Sequence, residues 1–81
     1  MPKWVRGGER PAPVAGAIVD VRAFELHGTP YWAVRYRLDA DPGAVQEARL
    51  SADMVYERPA AGDSVLITRI LGVVDRMDRA R

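Results

Sequence analysis

Residues 31–38 read Tyr-Trp-Ala-Val-Arg-Tyr-Arg-Leu, and the alternation of side chains in this stretch decides the fold class. In an extended chain, successive side chains point to opposite faces. One face then carries Trp32, Val34, Tyr36 and Leu38, and the other carries Tyr31, Ala33, Arg35 and Arg37. The pattern predicts a strand whose first set of side chains is shielded from solvent.

The preceding stretch has the same period of two. Residues 17–24 place Ala17, Val19, Val21 and Ala23 on one face. His27 and Gly28 separate the two runs and predict a hairpin turn. With these two residues as the loop, the predicted cross-strand pairs are Ala23–Trp32, Val21–Val34, Val19–Tyr36, Ala17–Leu38, Phe24–Tyr31 and Asp20–Arg35.

A third strand is predicted over residues 45–52. The segment 39–44 contains Pro42 and Gly43, which favour a turn before it. The pairs that we expect between the second and third strands are Val34–Leu50, Tyr36–Ala48 and Arg37–Glu47.

The remaining elements predict a small barrel. Residues 51–56 favour a short helical turn with Ser51 as its cap, and residues 65–71 and 73–77 favour two further strands. Gly72 between them suggests a bulge or a barrel corner. We therefore expect an all-β fold, a five-stranded antiparallel barrel of the OB-like or SH3-like type. The OB-like form is favoured because the helical turn follows the third strand.

Length and composition fit one small domain. The chain has 81 residues and a formal net charge of +1, with no cysteine. We predict a flexible N-terminal arm over residues 1–13, the barrel over 14–77 and a frayed tail over 78–81. No apolar run suits a membrane span or a secretory signal, so a cytoplasmic protein is the expectation.

The residues argue against catalysis and against a bound cofactor or metal. The single histidine, His27, lies at a predicted turn, without a nucleophile and an orienting group around it. Asp39 and Asp41 share one turn, but Leu50 occupies the position of the closing glutamate of a calcium loop. Gly7 and Gly8 do not stand between a strand and a helix, as a phosphate-binding loop requires.

A face rich in arginine and aromatic residues predicts a binding function. The registers above bring together Arg22, Phe24, Tyr31, Arg35, Arg37 and Arg49 on the outer side of the first three strands. Rings that stack on bases, beside guanidinium groups that hold phosphates, are typical of proteins that bind single-stranded nucleic acid. The alternative is a solvated face in which Asp20 and Glu47 neutralise the arginines, and the nearly neutral net charge favours it.

A second binding hypothesis involves a protein partner. Residues 67–74 are mostly apolar, with Ile67, Ile70 and Val73 available to a partner if their strand lies at an edge, and forming core if it is central. Trp4 in the arm is a large aromatic residue that would also suit a partner. The sequence thus predicts a non-enzymatic binding module for nucleic acid, or alternatively an adaptor or assembly module that forms homo-oligomers.

Overall fold

A computed structural model describes residues 12–80, which form five strands and one short 3₁₀ helix. The predicted arm, with Trp4, lies almost entirely outside the described residues. The strands are β1 (Val14–Leu26), β2 (Thr29–Leu38), β3 (Asp41–Ser51), β4 (Ser64–Ile70) and β5 (Val73–Arg79), and the 3₁₀ helix is Ala52–Met54. The prediction of an all-β fold with one helical turn is confirmed.

All the strands belong to one antiparallel sheet in the order β3-β2-β1-β4-β5. Within residues 12–80 no ladder joins β3 to β5, so the sheet is open and the prediction of a barrel is not confirmed. Strand β1 is long enough to pair with β2 along most of its length and with β4 at its start. Gly16 and Ala17 therefore have ladder partners on both sides.

The β1–β2 hairpin follows the prediction near its tip and departs from it further away. His27 and Gly28 both have positive φ (53° and 81°), the requirement of a type I′ turn. The predicted partners of residues 20–24 are correct. A β-bulge at Val19 then changes the register, so that Ile18 and not Val19 pairs with Tyr36 and points into the core. The predicted pairs Val19–Tyr36 and Ala17–Leu38 are wrong for this reason.

The β2–β3 register differs from the prediction by two residues. Strand β3 begins at Asp41, because the turn uses only residues 39–40. The observed pairs are Trp32–Leu50, Val34–Ala48, Arg35–Glu47, Tyr36–Gln46 and Arg37–Val45. A shift of two keeps every side chain on its predicted face but changes its neighbours.

The apolar faces of the sheet enclose one core. Its fully buried members come from β2, β4 and β5 and include Val34, Val65, Ile67 and Met77. Tyr36 and Leu38 are also buried and Trp32 is partly buried, as the alternation in residues 31–38 predicts. The opposite face of β1–β3 is thereby left to solvent.

The C-terminal hairpin differs from the prediction at both ends. Leu71 and Gly72 form a two-residue turn with positive φ (54° and 80°), so Gly72 marks a turn and not a bulge or corner. Strand β5 continues to Arg79, and the amide of Ala80 donates to the carbonyl of Ser64 at 2.9 Å. Residues 78–80 are therefore held by β4, whereas the sequence suggested a frayed tail.

The predicted cap of the 3₁₀ helix is wrong. Ser51 makes no side-chain cap bond to this helix, and its hydroxyl instead donates to Asp53 at 2.7 Å.

Candidate functional site

The arginine–aromatic face lies on the solvent side of β1–β3. The ladder arranges it in rows that cross the three strands: Phe24–Tyr31–Ser51, then Arg22–Ala33–Arg49, then Asp20–Arg35–Glu47, then Ala17–Arg37–Val45. All six predicted residues (Arg22, Phe24, Tyr31, Arg35, Arg37 and Arg49) lie on this face. The structure thus brings the predicted site residues together, although with different neighbours than expected.

An aromatic pair forms one end of the face. The rings of Phe24 and Tyr31 are stacked, with centroids 5.4 Å apart and planes inclined by 20°. The Arg49 Cζ lies 5.9 Å from the centroid of the Phe24 ring, within cation–π range. Since Arg49 is on β3 and Phe24 on β1, the arginine reaches across β2, where Ala33 is only 4% exposed. Two half-buried rings and a guanidinium group therefore form one continuous surface.

Two carboxylates neutralise the middle of the face. The Arg35 Nε donates to both carboxylate oxygens of Asp20 at 3.1 Å, and its Nη2 donates to the same carboxylate. This hydrogen bonding lowers the pKa of Asp20 and raises the pKa of Arg35. On the other side of Arg35, Glu47 of β3 lies directly opposite it, whereas the sequence predicted that Glu47 pairs with Arg37. Arg35 is thus flanked by two acidic residues and has little charge left for a ligand.

The other arginines are less strongly neutralised than Arg35, although the charge of Arg22 also helps to lower the pKa of Asp20. Arg22, Arg37 and Arg49 are exposed, and among residues 12–80 none of them forms an ion pair. Arg37 lies between Ala17 and Val45 in the ladder, so its predicted pairing with Glu47 does not occur. Four arginines against two carboxylates give this face a formal charge of +2. The face is therefore basic at Arg22, Arg49 and Arg37 and neutralised around Arg35.

The residues predicted for a protein partner are divided between core and surface. Strand β4 lies between β1 and β5, so Ile67 is fully buried and not available to a partner, whereas Ile70 and Val73 are 47% and 67% exposed. Sequence reasoning missed Leu71, which is 98% exposed at the hairpin tip. An apolar residue directly before Gly72, in a two-residue turn, is the signal that would have identified it.

A hydrogen-bonded cluster near the end of β5 has a structural role. The Tyr56 hydroxyl donates to Asp63 Oδ2 at 2.5 Å, and the Ala60 amide donates to the same oxygen at 3.0 Å. The Arg79 Cζ lies 5.0 Å from the Tyr56 ring centroid. Burial and the bond to Asp63 raise the pKa of Tyr56 to about 12. These contacts fix the loop between the 3₁₀ helix and β4.

The histidine and the acidic side chains of the described residues do not cluster as metal ligands. His27 is exposed at the tip of the β1–β2 hairpin. Residues 12–80 contain no group of three or more histidine or acidic side chains that could hold a metal ion. Nor does any helix in that range have the length and apolar character needed to cross a membrane.

Comparison with known families, curated proteins and solved structures gives no match to this chain.

Proposed function

We propose that this chain is a non-enzymatic binding module that contacts single-stranded nucleic acid through the arginine–aromatic face. The observation that carries the proposal is the stacked Phe24–Tyr31 pair, with Arg49 beside it and Arg22 in the adjacent row. The accessible part of the two half-buried rings offers a platform for bases, and the guanidinium groups of Arg22 and Arg49, which form no ion pair among residues 12–80, offer contacts to phosphates. The same groups have no evident task in the core, which lies on the other side of the sheet.

The fold supports this proposal. We take the open sheet as a partly open OB-like barrel, with its 3₁₀ helix between β3 and β4 and its gap between β3 and β5. OB-type barrels bind oligonucleotides on the face of their second and third strands. Tyr31, Arg35, Arg37 and Arg49 lie on those strands here. The proposal includes a cytoplasmic location.

The charge of the chain sets the expected strength of binding. A net charge of +1 provides little long-range attraction for a polyanion, so the local charge of the face has to supply it. We expect affinities in the micromolar range that weaken as salt increases, with little dependence on base sequence.

Fluorescence anisotropy with an end-labelled oligothymidylate of about ten nucleotides tests the proposal. Phe24→Ala and Arg49→Gln should each weaken binding several-fold. Arg76→Gln is the matched control, because Arg76 is an exposed arginine on β5, outside the proposed face, and its loss changes the net charge equally. Binding that is absent at micromolar protein in low salt, or that Arg76→Gln weakens as much as Arg49→Gln, contradicts the proposal.

The exposed tip of the β4–β5 hairpin favours a second candidate function, an adaptor or assembly module that contacts a second copy of this chain. Leu71 combines almost complete exposure with a positive φ, and Ile70 and Val73 extend the apolar surface beside it. Sedimentation velocity over a range of concentrations tests this function, with Leu71→Asn as the variant. Reversible association that Leu71→Asn abolishes supports it, and a monomer at all concentrations contradicts it.

A further inference from the structure

We infer that a bound single strand crosses β1–β3 along the Arg22–Ala33–Arg49 row, at right angles to the protein strands, and that Asp20 and Glu47 prevent it from extending to Arg37. This inference rests on the proposed function and specifies where the phosphates lie. The inference depends on the order in which the ladder places the aromatic, basic and acidic rows next to one another.

The Arg22–Ala33–Arg49 row has the shape of a phosphate track. Neighbouring strands are about 4.8 Å apart, so the Cα atoms of Arg22 and Arg49 are separated by roughly 10 Å across β2. Ala33 between them is small and only 4% exposed. On the side away from the rings, Ala33 and Arg22 border a surface depression that the acidic row (Asp20, Arg35 and Glu47) also lines. Two guanidinium groups can thus face successive phosphates without a bulky side chain between them.

The aromatic pair lies on one side of this track. Phe24 and Tyr31 are one row away from Arg22 and Ala33, a step of two residues or roughly 6.6 Å along the strands. A phosphate on the track therefore places its own base within reach of the rings. Arg49 already bridges the two rows through its contact with Phe24.

The acidic row limits the other side of the track. Asp20, Arg35 and Glu47 together carry a formal charge of −1, and Arg35 is occupied by its bidentate bonds to Asp20. A phosphate that moves onto this row meets two carboxylates and a guanidinium group that is already neutralised. Arg37 lies in the next row beyond them, so a polyanion cannot use Arg22 and Arg37 together without crossing negative charge.

The salt dependence of binding tests the inference. Each phosphate contact on a single strand contributes about 0.7 to the slope of log affinity against log salt, so two contacts predict a slope of roughly 1.4 for the unmodified chain. Arg22→Gln should lower the slope by about 0.7 and weaken binding several-fold. Arg37→Gln tests the limit of the track and should change both less than Arg22→Gln, and Arg76→Gln on β5, outside the face, is the control that should change neither. Asp20→Asn should release Arg35, raising the slope by about 0.7 and tightening binding several-fold.

The possible outcomes separate this inference from the proposed function. If salt-sensitive binding is present but Arg37→Gln weakens it as much as Arg22→Gln, or Asp20→Asn leaves the slope unchanged, the track is wrong while the proposed function stands. If the unmodified chain does not bind, both are wrong. Thermal unfolding followed by circular dichroism is the control for folding of the Asp20→Asn variant. We expect this variant to be folded, because it loses only one exposed ion pair.

Discussion

Arg35 on β2 lies directly opposite Asp20 on β1, and its guanidinium group donates to both oxygens of that carboxylate. The pair lies immediately beside the bulge at Val19, where the register of the hairpin changes. Because Glu47 flanks Arg35 from β3, the most central arginine of the face is also its most neutralised one. The basic surface is consequently divided into an Arg22–Arg49 part and an isolated Arg37.

The Asp20–Arg35 pair predicts a specific acid dependence of stability. The hydrogen bonds from Arg35 lower the pKa of Asp20 in the folded chain below its ordinary value of 3.8. The ionised carboxylate therefore stabilises the fold above that value, and this contribution is lost as the pH falls through the lowered folded pKa. We expect the difference in stability between the unmodified chain and Asp20→Asn to shrink below pH 3.8. Urea unfolding at a series of pH values measures it, and a difference independent of pH contradicts the prediction.

The raised pKa of Tyr56 predicts a loss of stability at high pH. Its folded pKa of about 12 lies above the ordinary value of 10.0, mainly because of burial and then because of the bond to Asp63. Stability from the neutral hydroxyl is therefore complete below pH 10 and is lost as the pH rises through about 12. Spectrophotometric titration of tyrosinate should show a group that ionises near pH 12, and Tyr56→Phe should remove that step. If the step near pH 12 persists in Tyr56→Phe, another tyrosine is responsible and the prediction is wrong.

Gly16 is required where β1 pairs with both β2 and β4. A Cβ at this position would lie 2.5 Å from the backbone oxygen of Arg37 and 3.1 Å from the Ile67 Cδ1. We expect Gly16→Ala to lower the free energy of unfolding by about 1–3 kcal/mol, the usual range for overpacking. Gly43→Ala is the control, because nothing lies within 4 Å of its Cβ position, and it should change stability by less than about 0.5 kcal/mol. Equal effects of the two substitutions in chemical denaturation would contradict the packing argument.

Truncation of two isoleucines on β4 should lower the free energy of unfolding by very different amounts. Ile67 is fully buried between the halves of the sheet, whereas Ile70 is 47% exposed near the hairpin tip. Ile67→Ala should therefore lower the free energy of unfolding by about 2–5 kcal/mol through the cavity that it leaves. Ile70→Ala should change it by less than about 0.5 kcal/mol. Similar losses for both would mean that β4 does not lie centrally in the sheet.

The alternation in residues 31–38 was enough to predict the two faces of β2, because side-chain direction in a regular strand depends only on parity. It did not predict the bulge at Val19, since one extra residue in a strand has no characteristic composition. Nor did it distinguish two β2–β3 registers that differ by two residues, because both keep Val34 and Leu50 inside. That shift moved Glu47 from Arg37 to Arg35 and so changed which arginines are neutralised. Closure of the sheet depends on long-range twist, which the pattern of single strands does not contain.

The two candidate functions use surfaces at different places on the sheet, the arginine–aromatic face of β1–β3 and the tip of the β4–β5 hairpin. A ¹H–¹⁵N correlation spectrum recorded during titration with an oligothymidylate of about ten nucleotides distinguishes them most directly. We predict salt-sensitive shifts concentrated on Arg22, Phe24, Tyr31, Ala33 and Arg49, with Ile70, Leu71 and Val73 unmoved. Shifts confined to the hairpin tip, or no shifts at low salt, would contradict nucleic-acid binding by this face.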